Sequence, residues 1–428
     1  MSHINKKVPK RRFEEFNNAD DWEQRKFEDC FNFPVSTNSL SRVMLNYDKG
    51  EVKNVHYGDV LIKYPCILNI KKEEIPYITG GCLEAYNSNL LENGDLIFAD
   101  AAEDETVGKA VEVNGITNEN LVSGLHTIVA RATTQKAKYF LGYYINSDIY
   151  HRQLLRLMQG SKVSAISKGN LQITDVSFPK DIEEQQKIGS YFKQLDDTIA
   201  LHQRKLEKIK ALKTAYLSEM FPAEGETKPK RRFAGFTDEW EKRELEDVAP
   251  LRGGYAFQSE DYQSSGIPII RISNILSNGS IGGEYTFSKE RDKDSKYVLP
   301  KGAIILAMSG ATTGKTAIVN SNLYKKIYQN QRVGYFVNLN IVDYFFVKVI
   351  VESNSFYHQL GAVLIAGAQP NISSKEVGAF EFYFPTKIEE QKKIGFFFQQ
   401  LDKTITLHQR KLQKLQNIKK AYLNEMFI

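Results

Sequence analysis

The sequence predicts an α+β protein: two globular β-rich domains separated by two long helices that form an antiparallel coiled coil, the whole pseudo-two-fold symmetric. Three observations predict it. The stretch Phe178–Phe221 returns as Phe384–Phe427, with 29 of 44 aligned positions identical. Inside each copy, apolar residues recur at alternating steps of four and three, the period of a narrow helical seam that needs a partner helix. Between the copies, and before the first, lie two regions of short β-branched and aromatic runs broken by Gly, Asn, Asp and Ser, the pattern of short strands and turns. The implied boundaries are a first domain at 1–179, a long helix at 180–221, a linker at 222–232, a second domain at 233–385 and a second long helix at 386–428.

The first seam runs Ile188, Phe192, Leu195, Ile199, His202, Leu206, Ile209, Lys213, Tyr216, Met220. The second runs Ile394, Phe398, Leu401, Ile405, His408, Leu412, Leu415, Lys419, Tyr422, Met426. Each helix is about 37 residues, roughly 55 Å at the helical rise. The first carries Glu183, Glu184, Asp196 and Asp197 early and Arg204, Lys205, Lys208, Lys210 and Lys213 late. The second is neutral early and basic late, through Arg410, Lys411, Lys414, Lys419 and Lys420. Acid near the start and base near the end suits the helix dipole, and in an antiparallel pair it sets unlike charge side by side. His202 and His408 lie near the midpoints, where such a pair would bring them together. One reading makes them polar residues fixing register, the other histidines tolerated on a helix edge.

Composition excludes several classes. With 428 residues, two to three domains are expected. The net charge of +5 and pI near 8.7 are compatible with nucleic acid without being diagnostic. Cys30, Cys66 and Cys82 form no CxxC pair and leave an odd count, which argues for a reducing compartment and against a disulfide framework or zinc ribbon. The first thirty residues hold no apolar signal core, and the longest apolar runs, such as Ala303–Met308, fall far short of a membrane span. A cytoplasmic protein without membrane contact is expected.

A second repeat introduces each globular region. Pro9-Lys10-Arg11-Arg12-Phe13 returns as Pro229-Lys230-Arg231-Arg232-Phe233, followed by equivalent tryptophans, Trp22 and Trp240. The tryptophans read as packing anchors in preference to base-stacking platforms, and the basic runs as short solvated charge runs in preference to phosphate contacts. Weaker correspondences place Ile75–Ile78 with Ile267–Ile270, Thr106–Ala110 with Thr312–Ala317, and Ser123–Val129 with Gln331–Val337. Each region also holds a helix-like segment, 137–159 and 341–360. The regions therefore read as one fold carrying two divergent sequences, and the chain as a circle cut once with its ends close together.

This pattern resembles the specificity subunit of type I restriction–modification systems. The resemblance rests on the paired F-P-x-x-I-E-E-Q-x-K-I-G…L-D…H-Q-R-K-L…A-Y-L-x-E-M-F helices starting at Phe178 and Phe384. The R-R-F…W-E-x-R entrances, the Ser309–Thr316 turn and Gln369-Pro370-Asn371-Ile372-Ser373 add to it. The first region departs from it at Lys162–Ser167, which lacks Gln-Pro-Asn, and at Ala102–Glu105, which replaces Ser-Gly. The resemblance implies that each globular region is a target-recognition domain reading one half of a split, asymmetric double-stranded DNA target. It implies that the helices set the gap between the halves and dock two methyltransferase subunits, with nuclease/translocase subunits joining for cleavage. No cofactor is expected on this chain; S-adenosylmethionine belongs with the methyltransferase, and ATP and Mg with the nuclease.

Catalytic readings fail on spacing. Gly310-Ala311-Thr312-Thr313-Gly314-Lys315-Thr316 has three residues between its glycines where a phosphate loop requires four. It precedes a strand-like Ala317-Ile318-Val319, so no helix N-terminus awaits a phosphate. No N-P-P-Y methyltransferase motif occurs. Glu51-Val52-Lys53 lacks a preceding P-D pair, and the seven histidines show no metal-ligand spacing. The expectation is a non-catalytic chain with no metal. The rival reading is a coiled-coil adaptor that never touches DNA; a weaker one is a nucleotide-dependent enzyme using the 310–316 turn.

Base reading needs Arg, Lys, Asn, Gln, Ser and Thr on loops. In the first domain the candidates are Lys63, Thr79, Asn87, Asn89, Lys109, Lys162, Ser164 and Lys168. In the second they are Arg271, Asn274, Ser309, Thr312, Thr313, Lys315, Gln329, Asn330, Gln331 and Gln369.

Overall fold

The computed structural model describes residues 7–158, 163–223, 225–319, 324–366 and 371–428. The chain divides into two compact units, 1–203 with 410–428, and 204–409. The division falls in the middle of both long helices, Ile182–Glu219 and Ile388–Glu425, of 38 residues each. Each unit thus contains the start of one long helix and the end of the other.

In unit 1 the strand Glu23–Lys26 pairs antiparallel with Asp175–Phe178, which leads directly into the first long helix. A five-stranded sheet follows the order Phe31–Asn32, Thr127–Ala132, Leu96–Ala99, Ala110–Asn114, Ile67–Asn69. A four-stranded sheet follows the order Asn120–Ser123, Val52–Val55, Tyr77–Ile78, Leu45–Asn46. Unit 2 repeats the plan with fewer strands. Trp240–Glu244 pairs with Glu381–Pro385 ahead of the second long helix. Its larger sheet runs Leu251–Arg252, Val333–Phe336, Ile304–Ala307, Thr316–Ile318, and its smaller runs Thr286–Ser288, Ile267–Ile270, Tyr328–Gln329.

The ladders fix which residues are equivalent and correct two of the sequence correspondences. Val52–Val55 is the centre of its small sheet, parallel to Asn120–Ser123; Ile267–Ile270 is likewise central, parallel to Tyr328–Gln329. The partner of Ile267–Ile270 is therefore Val52–Val55, and Tyr77–Ile78 matches Thr286–Ser288. The Ile-Pro resemblance was misleading because Pro76 precedes a strand whereas Pro268 lies within one. In the large sheets Thr127 faces Ala99 as Val333 faces Ala307. Thr127 thus matches Val333, two residues from the sequence alignment. A slip of two keeps every side chain on its own face, so the apolar pattern alone does not detect it.

The Thr106–Ala110 and Thr312–Ala317 correspondence stands. Gly108 donates to the Ala99 carbonyl, and Gly314 to the Ala307 carbonyl, both at 2.9 Å. Both have positive φ, 80° and 88°, open to glycine at no cost. A Cβ there would lie 2.7 Å from Leu154 Cδ1 or 2.5 Å from Leu360 Cδ2, so glycine also lets the turn close on a helix. Each expected helical segment is a broken pair, Phe140–Ile145 with Asp148–Leu157 and Tyr344–Val351 with Asn354–Ala366. The break in each is a serine. Ser147 and Ser353 donate to the carbonyl three residues back and accept the N–H three residues on, capping the next helix.

The repeated motifs dock the long helices. In unit 1, Arg12 grips Glu184 through two bonds of 2.6 and 2.7 Å, and Trp22 Nε1 also donates to Glu184. In unit 2, Arg232 grips Glu390 at the same two distances. Both glutamates are buried. Gln185 joins the Ala137 N–H to the Pro179 carbonyl, and Gln391 joins the Asp343 N–H to the Pro385 carbonyl. A Cβ on Gly189 would stand 2.6 Å from the Lys138 carbonyl oxygen, and one on Gly395 2.9 Å from the Phe346 nitrogen; at both places the helix touches backbone. Arg11 and Arg231 bond Glu425 and Glu219 at 2.6 Å and lie over Tyr422 and Tyr216. Arg12 and Arg232 are thus ion-paired braces and not the solvated charge expected, whereas Arg11 and Arg231 are ion-paired but remain exposed. Trp22 and Trp240 are buried anchors, meeting Phe427 and Phe221 edge-on.

The long helices pair antiparallel. In unit 1 Tyr191 stacks on Tyr422 and Asp196 bonds Lys419 at 2.5 Å. In unit 2 Lys213 bonds Asp402 at 2.7 Å and Tyr216 meets Phe397. No seam position is exposed, from Ile188 to Met220 or from Ile394 to Met426; His202 is buried and His408 half-buried. Lys213 occupies the seam because Glu352 and Asp402 both receive it.

Candidate nucleic-acid interface

Four chain segments meet at one end of the sheets in unit 1. The small-sheet strand Val52–Val55 ends at His56, and the large-sheet strand Leu96–Ala99 ends at Asp100. His126 immediately precedes the strand Thr127–Ala132, and Ser164–Ala165 crosses beside Ala101–Ala102. Backbone bonds hold the group together: Asp100 N–H to the His126 carbonyl at 3.1 Å and Ile166 N–H to the Asp100 carbonyl at 2.9 Å. His126 Nδ1 lies 3.2 Å from Asp100 Oδ1, and the Tyr57 ring sits edge-on to His126 at 5.3 Å. His56 accepts the Gly58 N–H on Nδ1, so its neutral ring presents Nε2–H as a donor. Burial, then the Arg42 charge, holds His56 below its ordinary pKa. Burial raises Asp100, opposed by His126.

Unit 2 builds the same junction with other side chains. Met308 N–H bonds the Arg332 carbonyl at 3.0 Å and Ile372 N–H bonds the Met308 carbonyl at 2.9 Å. Ser309 bridges Asn371. The Gly124 N–H bond to the Val55 carbonyl has its counterpart in that of Asn330 to Ile270, which makes His56 equivalent to Arg271 and His126 to Arg332. The Nε atoms of Arg252 and Arg271 are buried without a hydrogen-bond partner. The Arg252 guanidinium lies over the Tyr335 ring, and its terminal nitrogen reaches Gln329 Oε1 at 3.5 Å.

The sequence candidates scatter around this geometry. Ser309, Thr312, Thr313, Lys315, Asn330, Gln331 and Arg271 gather at the unit 2 junction; Thr313 Oγ1 donates to the Gly310 carbonyl at 2.7 Å. Asn274 and Gln329 are interior. Asn274 donates to the carbonyls of Gly282 and Glu284, and Gln329 to those of Arg252 and Val333; both amides hold loops together. Ser164 lies at the unit 1 junction and Lys168 is exposed beside Phe33. Lys109 points inward, donating to the Leu61 and Tyr64 carbonyls. Lys63 is tied to Glu74, Thr79 receives Asn46, and Asn89 receives the Ser36 N–H, while Asn87 is exposed. Lys162 and Gln369 lie outside the described residues. Sequence reasoning missed His56, Asp100, His126, Arg252 and Arg332. His56 and Asp100 follow strands, His126 and Arg332 precede them, and Arg252 ends one; finding them by a place at a strand end needs the strand pairing first.

Among the described residues, no cluster of His, Cys, Asp or Glu is placed to hold a metal ion, and no helix is long and apolar enough to cross a membrane. The 310–316 turn is a short 3-10 turn followed by the strand Thr316–Ile318, as its sequence implied.

Comparison with known proteins agrees with this architecture. The chain is similar to the MjaVIII type I restriction enzyme specificity subunit of Methanocaldococcus jannaschii, at 23% identity over 298 residues, 65% of this chain and 69% of that protein. The crystal structure of a type I restriction–modification S subunit from M. genitalium superposes with a TM-score of 0.66 at 14% identity, covering 98% of this chain and 99% of that one. A structure from work on complex assembly and conformational transition of the type I R-M system gives 0.50 at 16% identity, covering 95% and 97%. The family model for the type I restriction modification DNA specificity domain matches twice, at residues 19–211 and 237–417. With two such domains on a duplicated helical frame, the chain belongs to the type I restriction–modification DNA specificity family.

Proposed function

We propose that this chain is the DNA sequence-recognition subunit of a type I restriction–modification complex. Its domains at 1–179 and 233–385 each read one half of a bipartite, asymmetric double-stranded target. The paired long helices set the unread gap and dock two methyltransferase subunits, and nuclease/translocase subunits join that assembly. The chemistry belongs to those partners: S-adenosylmethionine serves the methyltransferase, ATP and Mg the nuclease, and this chain contributes no catalytic group. The observation that carries the reading is one fold built twice with different side chains at matching strand ends. Duplicated readers with unlike faces suit a target whose halves differ, and half-site spacing follows protein geometry.

The test is to express the chain with its methyltransferase partner and map methylated adenines in the host genome. A split motif with a fixed gap and unlike halves is expected. Methylation at a single uninterrupted motif, or none, would overturn the reading. Phosphate contacts are read separately through salt dependence. Lys315→Ala is expected to flatten the slope of log affinity against log salt by about one unit; an unchanged slope removes Lys315 from the phosphate contacts.

A further inference from the structure

Three backbone positions are equivalent in the two units and differ in chemistry. The residue after the central strand of the small sheet is His56 in unit 1 and Arg271 in unit 2. The residue after the inner strand of the large sheet is Asp100 or Met308, and the one joined to it by a backbone bond is His126 or Arg332. The frame is constant and the side chain is not. Phosphate contacts would demand cationic chemistry in both units, since the backbone they grip is the same for every sequence. A carboxylate at one of these positions, where the other unit has a thioether, is the reverse of that demand.

We propose that Asp100 in unit 1 and Arg332 in unit 2, which occupy two of these positions, read bases, resting on the subunit role above. In unit 1, His126 fixes the Asp100 carboxylate through Oδ1, which leaves Oδ2 to accept from an exocyclic amino group, cytosine N4 or adenine N6. In unit 2, Arg332 is exposed and takes guanine, whose O6 and N7 match a guanidinium bidentately. Met308 beside it is buried in the unit 2 core, so the reading at this junction falls to Arg332. His126 is a positioning residue, and Asp100 and Arg332 are the direct readers.

The experiment compares methylation maps of the assembled methyltransferase complex carrying wild-type chain, Arg332→Ala or Asp100→Asn. Arg332→Ala is expected to relax guanine preference by roughly tenfold or more at one position of one half-target, leaving the other half intact. Asp100→Asn keeps the shape and adds a donor, so it is expected to change base preference in the opposite half only. Salt dependence on random duplex is expected to stay as in wild type for Arg332→Ala. A split motif unchanged by both variants overturns the assignment, as does a change spread over both halves. A slope reduced by about one unit with the motif retained assigns Arg332 to phosphate and also overturns it. A wild-type complex that leaves no split motif at all defeats the subunit role instead, which separates the two failures.

Discussion

Glu184 and Glu390 are buried carboxylates, each held by an arginine more than 150 positions away in sequence. Removing one partner of a buried, hydrogen-bonded pair leaves a charge without compensation, at a cost of about 3–5 kcal/mol. Arg12→Ala is expected to destabilise unit 1 by that order, read by denaturant unfolding, and Arg232→Ala to do the same for unit 2. That separation in sequence explains why the arginines were legible as basic runs but not as braces: nothing local identifies the partner. Glu112 offers a second test. Its carboxylate is interior, receives the Tyr139 and Gly142 N–H groups at 2.7 and 2.8 Å, and is raised by burial to about 7. The folded state therefore holds its proton where the unfolded chain has lost it. Stability on this account is highest below pH 4.5 and declines as pH rises toward 7, by at most about 3 kcal/mol. Glu112→Gln is expected to remove that decline, measured as Tm against pH.

At the scale of elements, the long helices were legible because a 4-3 seam repeated over ten positions fits a paired helix and little else. The short strands were legible as strands, but their pairing was not. The Ile-Pro match and the two-residue slip both arose where alternation is uniform and register is a tertiary property. The positions proposed to read bases are hidden for the same reason. His56 and Arg271 share no sequence context, only a place after equivalent strands. The seam lysines supply a prediction of contrast. Lys213 is mostly buried between Glu352 and Asp402, whereas Lys419 meets Asp196 at a more open site. Lys348 bonds the same two carboxylates, so Lys213→Met strands neither and is expected to cost about 1 kcal/mol, with Lys419→Met under about 1 kcal/mol, compared by denaturant unfolding.

At the scale of the whole molecule, the two junctions where a long helix hands over to a domain are chemically alike. Arg11 N–H bonds the Glu425 carbonyl at 2.9 Å, and Arg231 N–H bonds that of Glu219 at 2.8 Å. Eleven residues separate Glu219 from Arg231, and joining Ile428 to Met1 would leave thirteen between Glu425 and Arg11. A permutant closed there and opened after Gly225 is expected to fold and to direct methylation to the same split motif. Loss of the motif with the fold retained would show that the two joints are not interchangeable.

Phe427 lies among Trp22, Phe140, Tyr144 and Phe192, so the lobe that begins earlier in the sequence is finished by a segment that follows the whole of the other lobe. The other lobe is drawn from residues 204–409. A stop near residue 420 would therefore remove Phe427 and leave the earlier lobe open at its core.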